Sequence, residues 1–324
     1  MTTLVDLNEL ARRESEQTEW QLFGSNGAVE PWDTETCRAA TVADLDLLAI
    51  RDTFQRMRRL EAAADVSRYL SHVETLSAFV PPLCIKEFLS GTLRPRNFTM
   101  LLFGAAPQRF IHDAASVLSA YPGILRATDA AQRFDATGTL VQQYLQLWRL
   151  LESYAPMVFD KTNLKAPNLW LYPHRALQEA LVNAIVHRDY ATGGPTRVTV
   201  YSDRIEIFSP GALMPGVSLS QLRRGRVSPR WRNKSLAWFF RELRLAQAEG
   251  QGVTTIRTAM KAAGSPPPRF VATEADVTCT LFAHPRAREL HEALSQPQGA
   301  TTPPKRKKVA KVAKKAAKKG AGRG

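Results

Sequence analysis

Tyr172-Pro173-His174-Arg175-Ala176-Leu177-Gln178-Glu179-Ala180-Leu181-Val182-Asn183-Ala184-Ile185-Val186-His187-Arg188-Asp189-Tyr190 is the stretch on which the fold of this chain turns. Leu177, Ala180, Leu181, Ala184 and Ile185 recur at three- and four-residue intervals, so a helix with one core face is expected over residues 174–187. Glu179 and Asn183 stand four residues apart and project from the same side of that helix. A carboxylate so placed can orient and deprotonate a water. An amide oxygen beside it can ligate Mg²⁺, whose other ligands are phosphate oxygens and waters. By itself such a pair is also what an ordinary solvated helix face looks like.

The elements that follow give the pair its context. Val198 and Val200, then Ile205 and Ile207, alternate across a turn at Ser202-Asp203, which predicts a hairpin of residues 196–201 and 204–208. A Ser209-Pro210-Gly211 turn comes next. Residues 209–249 are rich in Gly, Pro and Arg, with a helix expected at 236–245. Gly250-Gln251-Gly252 then opens a helix over 253–263. A glycine turn at a helix N-terminus is an anion site, because free N–H groups and the helix dipole point outward there. A strand is expected at 277–283, and order is expected to fade after residue 294.

Upstream the signals are weaker. Residues 1–40 mix Glu14, Glu16 and Glu19 with Gly24, Gly27 and Pro31. A helix is expected over 42–64, opened by a capping pair of Thr41 and Asp44, and a second helical stretch over 64–79 ends at Pro81-Pro82. Phe98-Thr99-Met100-Leu101-Leu102-Phe103 reads as a buried strand closing on Gly104. Leu140, Tyr144, Leu147, Trp148 and Leu151 give one apolar face to a helix over 139–154. No internal repeat is present.

The run from Tyr172 to Tyr190 resembles the motif of bacterial RecG-like, or Schlafen/AlbA-type, ATP-binding proteins with a C-terminal GHKL domain. Arg204-Ile205-Glu206-Ile207-Phe208-Ser209-Pro210-Gly211-Ala212-Leu213 and Gly250-Gln251-Gly252-Val253 are similar to the next two motifs at the expected spacing. The resemblance implies a GHKL (Bergerat) two-layer α/β sandwich; with the local patterns before it and the composition after it, an α/β chain is expected, of a mixed α/β middle region, that sandwich and a disordered basic tail. The corresponding divisions are an eroded N-terminal segment (1–40), the middle region (41–155), the ATP-binding domain (156–294) and the tail (295–324). It further implies ATP and Mg²⁺ as cofactors, with Glu179 as catalytic base and Asn183 as Mg²⁺ ligand. Asn183, His187, Arg188, Ser209, Gly211, Gly250 and Gly252 would face the nucleotide, and residues 212–249 match the lid. The chain departs from the pattern at Ser209, where an Asp that reads the adenine amino group is usual. His187 is expected to cap the helix end as a partly cationic imidazole, and Arg188 either to reach phosphate or to form a surface salt bridge. His187-Arg188-Asp189 is not a kinase loop, since Gly194 stands where its Asn belongs, and no G-x-x-x-x-G-K-[ST] helicase motif exists.

The chain has 324 residues and a formal charge of +14. Ten of those charges sit in the last twenty residues, in a low-complexity run without an acid: Lys305, Arg306, Lys307, Lys308, Lys311, Lys314, Lys315, Lys318, Lys319 and Arg323. Such a run is too charged to pack and is expected to hold double-stranded DNA by its phosphates, without reading sequence. Cys37, Cys84 and Cys279 are widely spaced and odd in number, which argues against a disulfide framework and fits a reducing cytoplasm. No signal peptide and no span of about 20 apolar residues is found. The expectation is a cytoplasmic, nucleoid-associated protein without a membrane partner, as a possible homodimer. It would be a slow ATPase acting as a switch. The alternatives are a non-catalytic DNA-binding transcriptional regulator or a DNA-coating protein.

Overall fold

Alternation at period two lays down the central sheet. The computed structural model describes residues 31–78, 80–126, 131–161, 163, 165–225, 230–246 and 252–295. In chain order these form a 3-10 turn at Trp32–Thr34, another at Val42–Asp44, and helices α1 (Leu47–Arg56), α2 (Leu60–Ala64) and α3 (Val66–Tyr69). A short hairpin, β1 (Cys84–Lys86) and β2 (Leu93–Pro95), leads to α4 (Asn97–Phe103), β3 (Ser116–Ala120), β4 (Gln132–Ala136) and α5 (Leu140–Tyr154). Strands β5 (Met157–Val158) and β6 (Leu169–Trp170) precede α6 (His174–Val186), β7 (Thr196–Val200) and β8 (Arg204–Pro210). Last come α7 (Leu219–Arg224), α8 (Lys234–Glu242), α9 (Gly252–Ala262), β9 (Arg269–Ala272), β10 (Asp276–Phe282) and α10 (Pro285–Ser295).

One six-stranded sheet runs in the order β4-β3-β7-β8-β10-β9, parallel only between β3 and β7. Val198 pairs with Ile207 and Val200 with Ile205, while Cys279 and Leu281 sit opposite Ile207 and Ile205 from β10. Directly paired residues share a face, so these six side chains form one buried apolar surface. Helix α6 packs onto the sheet, and α5, α8 and α9 pack against α6. Burial of each Leu or Ile in such a layer contributes about 1.5–3 kcal/mol. On the opposite face Arg197 lies 3.9 Å over the Phe208 ring and Arg204 pairs with Glu206 at 2.8 Å. That is an α/β layer pair with a polar outer face.

Several sequence expectations change here. The run from Phe98 to Phe103 is helix α4, not a strand. All seven residues of α4 are buried, polar Asn97 and Thr99 included, and a run buried on every side carries no period to separate helix from strand. The single helix expected at 42–64 breaks into a 3-10 turn, α1 and α2, with Arg58 in the left-handed region at φ 58°. Of the stretch expected at 64–79 only α3 is helical among the described residues. The Thr41–Asp44 pair does form a capping box. The division near residue 155 falls between strands of a single sheet, since β3 and β4 extend the sheet built by β7, β8, β10 and β9. Residues 31–40 are also packed in: Trp32 stacks on Tyr190 at 5.9 Å, and Asp33 accepts from Ser235 N at 2.8 Å. Within the expected lid, α8 is a core helix, with Leu236, Phe239 and Phe240 fully buried and Phe239 edge-on to Phe103 at 5.5 Å. Gly250 and the fading of order expected after residue 294 lie outside the described residues.

Candidate functional site

Pro173 precedes α6 with φ −62°, already suited to helix entry. Leu177, Ala180, Leu181, Ala184 and Ile185 then turn one side of the helix into the core, as the spacing predicts. The other side meets α9, whose first residue is Gly252. A Cβ built at Gly252 would stand 2.5 Å from Glu179 Oε1, 2.6 Å from Asn183 Nδ2 and 3.1 Å from Asn183 Oδ1. Only a residue without a side chain leaves the carboxylate–amide pair where it stands.

Glu179 is 7% exposed. Burial raises its pKa above the ordinary carboxylate range, against the smaller opposing effects of the Arg175 charge and a hydrogen bond from Asn183. A carboxyl lifted in this way is a better base near neutral pH than a solvated one.

A cavity follows α6 from Glu179 past Asn183 to His187, and continues beside Ser209, Gly211, Trp231 and Arg232. Ile207 and Cys279 of the sheet and Leu222 and Val253 of the helices also line it, which makes its walls largely apolar. Glu179 is the only acidic residue in that lining among the described residues. At the far end the His187 and Trp231 rings stack at 5.0 Å and 10°. Desolvation, with a smaller effect of the Arg232 charge, pushes the His187 pKa down to about 4. The imidazole is therefore neutral at physiological pH, and the cationic helix cap expected from the sequence is not what forms. Its backbone caps the helix instead, His187 N–H donating to Asn183 O at 2.9 Å.

The glycine turn after β8 is locked to the end of α6. Asp189 N donates to Pro210 O at 2.9 Å, and Ser209 Oγ donates to Ala184 O at 2.8 Å. Gly211 has φ +107°, and a Cβ there would come 2.7 Å from Asp189 Cβ. Arg232 ties this corner together, donating to His187 O (3.2 Å), Asp189 Oδ2 (3.1 Å) and Ala212 O (2.7 Å).

The structure thus brings Glu179, Asn183, His187, Ser209, Gly211 and Gly252 to one cavity. Arg188 goes elsewhere. It is fully buried, its guanidinium donating to Ala115 O at 2.9 Å and to Asp113 O, and it lies 4.6 Å from the Tyr190 ring centre. It joins the end of α6 to the start of β3 and does not line the cavity. Lys305, Arg306, Lys307, Lys308, Lys311, Lys314, Lys315, Lys318 and Lys319 lie outside the described residues. Sequence reasoning gave no role to Trp231 or to the Asp189–Arg232 pair. A Trp within a Gly/Pro/Arg-rich segment is the signal that points to the first, and nothing in the spacing points to the second. No helix among the described residues is long and apolar enough to cross a membrane.

Residues 193–281 match the family described as the putative ATP-dependent DNA helicase recG C-terminal, so that part of the chain is similar to a RecG-like C-terminal domain. The match begins after α6, so Glu179 and Asn183 lie outside it. The DIP2311 protein of Corynebacterium diphtheriae has a similar structure, with a TM-score of 0.58 at 19% identity, over 83% of this chain and 50% of that one. This chain therefore spans about half the length of that protein, and the likeness is one of fold. No curated protein matches the sequence.

Proposed function

We propose that this chain binds ATP with Mg²⁺ in the cavity between α6 and α9, hydrolyses it slowly, and is held on DNA by its basic C-terminal segment. The observation that carries the nucleotide reading is the contact of Gly252 with Glu179 and Asn183, a cradle that a Cβ would fill. It puts a carboxylate, an amide and the N-terminus of a helix at one end of an apolar cavity. Among the described residues no three His, Cys, Asp or Glu side chains cluster to hold a metal. Asn183 Oδ1 is the ligand that would hold Mg²⁺, which in such sites neutralises phosphate charge. The α9 N-terminus holds the phosphates, and the neutral His187–Trp231 stack offers the base a flat apolar surface. Glu179, its pKa raised, takes a proton from an attacking water. Ser209 has its hydroxyl hydrogen turned to Ala184 O, so the group it offers a base is an oxygen acceptor.

Hydrolysis and binding separate in two variants. Glu179→Ala is expected to abolish turnover while nucleotide affinity stays within a few-fold. Asn183→Ala is expected to weaken Mg²⁺-dependent affinity itself, by about tenfold or more, the scale of one charge-assisted contact. Wild-type turnover no higher than that of Glu179→Ala would remove the ATPase and leave a nucleotide-binding regulator. Attachment to DNA through Lys305–Lys319 places the protein on the nucleoid in the cytoplasm.

A further inference from the structure

The two edges of the six-stranded sheet are treated differently by the chain. At β9, Pro266-Pro267-Pro268 stand just before the strand, and α7 lies against it with Arg223 Nε donating to Phe270 O at 3.2 Å. Prolines and a covering helix are standard ways to keep an edge from pairing with another chain. At β4 no proline stands in the strand, and although α5 touches it, with Tyr154 Oη donating to Gln132 Oε1 at 3.3 Å, four of its five residues stay exposed. Strand β4 pairs with β3 in five consecutive, unbulged positions from Ser116↔Ala136 to Ala120↔Gln132, and with no other strand. Gln132, Arg133, Phe134 and Asp135 are all exposed. Alternate backbone N–H and C=O groups of a strand so paired point away from its one neighbour.

We infer that β4 is the interface between two copies of this chain, which pair their β4 strands antiparallel about a two-fold axis at Phe134 and so join two sheets into one of twelve strands. The five residues Gln132-Arg133-Phe134-Asp135-Ala136 are self-complementary in that register. Arg133 of each copy falls opposite Asp135 of the other, and Phe134 falls opposite itself. Arg133 and Asp135 already share one face, joined at 2.9 Å with side chains 65% and 56% exposed, so the pairing completes a ring of four alternating charges. Phe134, 39% exposed on the other face, gains a ring partner. Neighbouring registers fail: a two-fold at residue 133 or 135 sets like charges directly opposite, and a slip by one residue puts the charges against Phe134. An interface of one short strand per copy is small, so the association is weak and concentration-dependent.

Sedimentation of the full-length protein over a concentration series tests this, with folding of each variant checked by thermal melting. Wild type is expected to dimerise. Arg133→Asp alone and Asp135→Arg alone, each setting like charges opposite, should raise the dissociation constant about tenfold or more. The double variant, Arg133→Asp with Asp135→Arg, restores opposite pairing and should restore the dimer. Phe134→Cys should form a covalent dimer on mild oxidation, since the three native cysteines are buried. A monomeric wild type, which is also the result if another segment of the chain covers the edge, would overturn the inference. So would a dimer indifferent to single reversal, a double variant without rescue, or a Phe134→Cys variant that does not crosslink.

Discussion

Gly252 makes the difference between stability and function measurable at a single residue. A methyl group there meets Glu179 Oε1 at 2.5 Å and Asn183 Nδ2 at 2.6 Å, the movable ends of two side chains rather than backbone. The pair swings aside at modest cost, and alanine at a position it can adopt gains about 0.4–1 kcal/mol over glycine by restricting the unfolded chain. Gly252→Ala is therefore expected to leave the melting temperature unchanged or slightly raised while nucleotide affinity falls at least tenfold, as read by thermal melting beside a nucleotide titration. Retained affinity would mean that the pair does not face the nucleotide. Much of this corner was legible in the sequence, because a four-residue spacing on a helix needs no tertiary knowledge. The charge on His187 was not. Its neutrality comes from burial, where it stacks on Trp231 44 residues away, with a smaller effect of the Arg232 charge.

At the scale of elements, the joints rather than the elements escaped the sequence. The boundaries of α5, α6, β7, β8 and α9 follow apolar periodicity within a residue or two, whereas α4 has no polar side to reveal its period. What caps α8 could not be read at all, since Asp33 reaches it from 202 positions upstream, accepting from Ser235 N and Leu236 N. Desolvation lifts the Asp33 pKa to about 7, against the lowering effects of those two backbone hydrogen bonds, the Ser235 hydroxyl and the Lys234 charge. The folded state thus favours the protonated acid. Its contribution is full below the unfolded pKa near 3.8 and is lost as pH rises through about 7. Asp33→Asn keeps an acceptor oxygen and cannot ionise. Relative to that variant, wild type should lose on the order of 2–4 kcal/mol of unfolding free energy between about pH 4 and pH 8. Denaturant melts at several pH values check this, and parallel curves would mean that Asp33 ionises freely. Asp33→Ala should cost about 1–2 kcal/mol at low pH through loss of the cap.

The whole molecule separates two features: an apolar cavity in a mildly basic body and ten cations in the last twenty residues. That the middle region and the nucleotide-type domain share one sheet was not legible, because the parallel β3–β7 pairing joins residues about 80 positions apart with no local signal. Removing residues 303–324 takes no residue from the described core. Melting temperature and nucleotide affinity are expected to stay, while duplex DNA affinity falls and its salt dependence flattens, the full-length protein losing about 0.9 in log K per log salt for each phosphate contacted. Equal slopes for both proteins would move DNA contact to the arginines of the expected lid, Arg223, Arg224, Arg226, Arg230 and Arg232. The most direct test of the central claim is a calorimetric titration of ATP into the full-length protein with Mg²⁺ and again with the metal chelated. The account predicts one site per chain with Mg²⁺ and markedly weaker binding without it. No binding at millimolar nucleotide in either condition would contradict it.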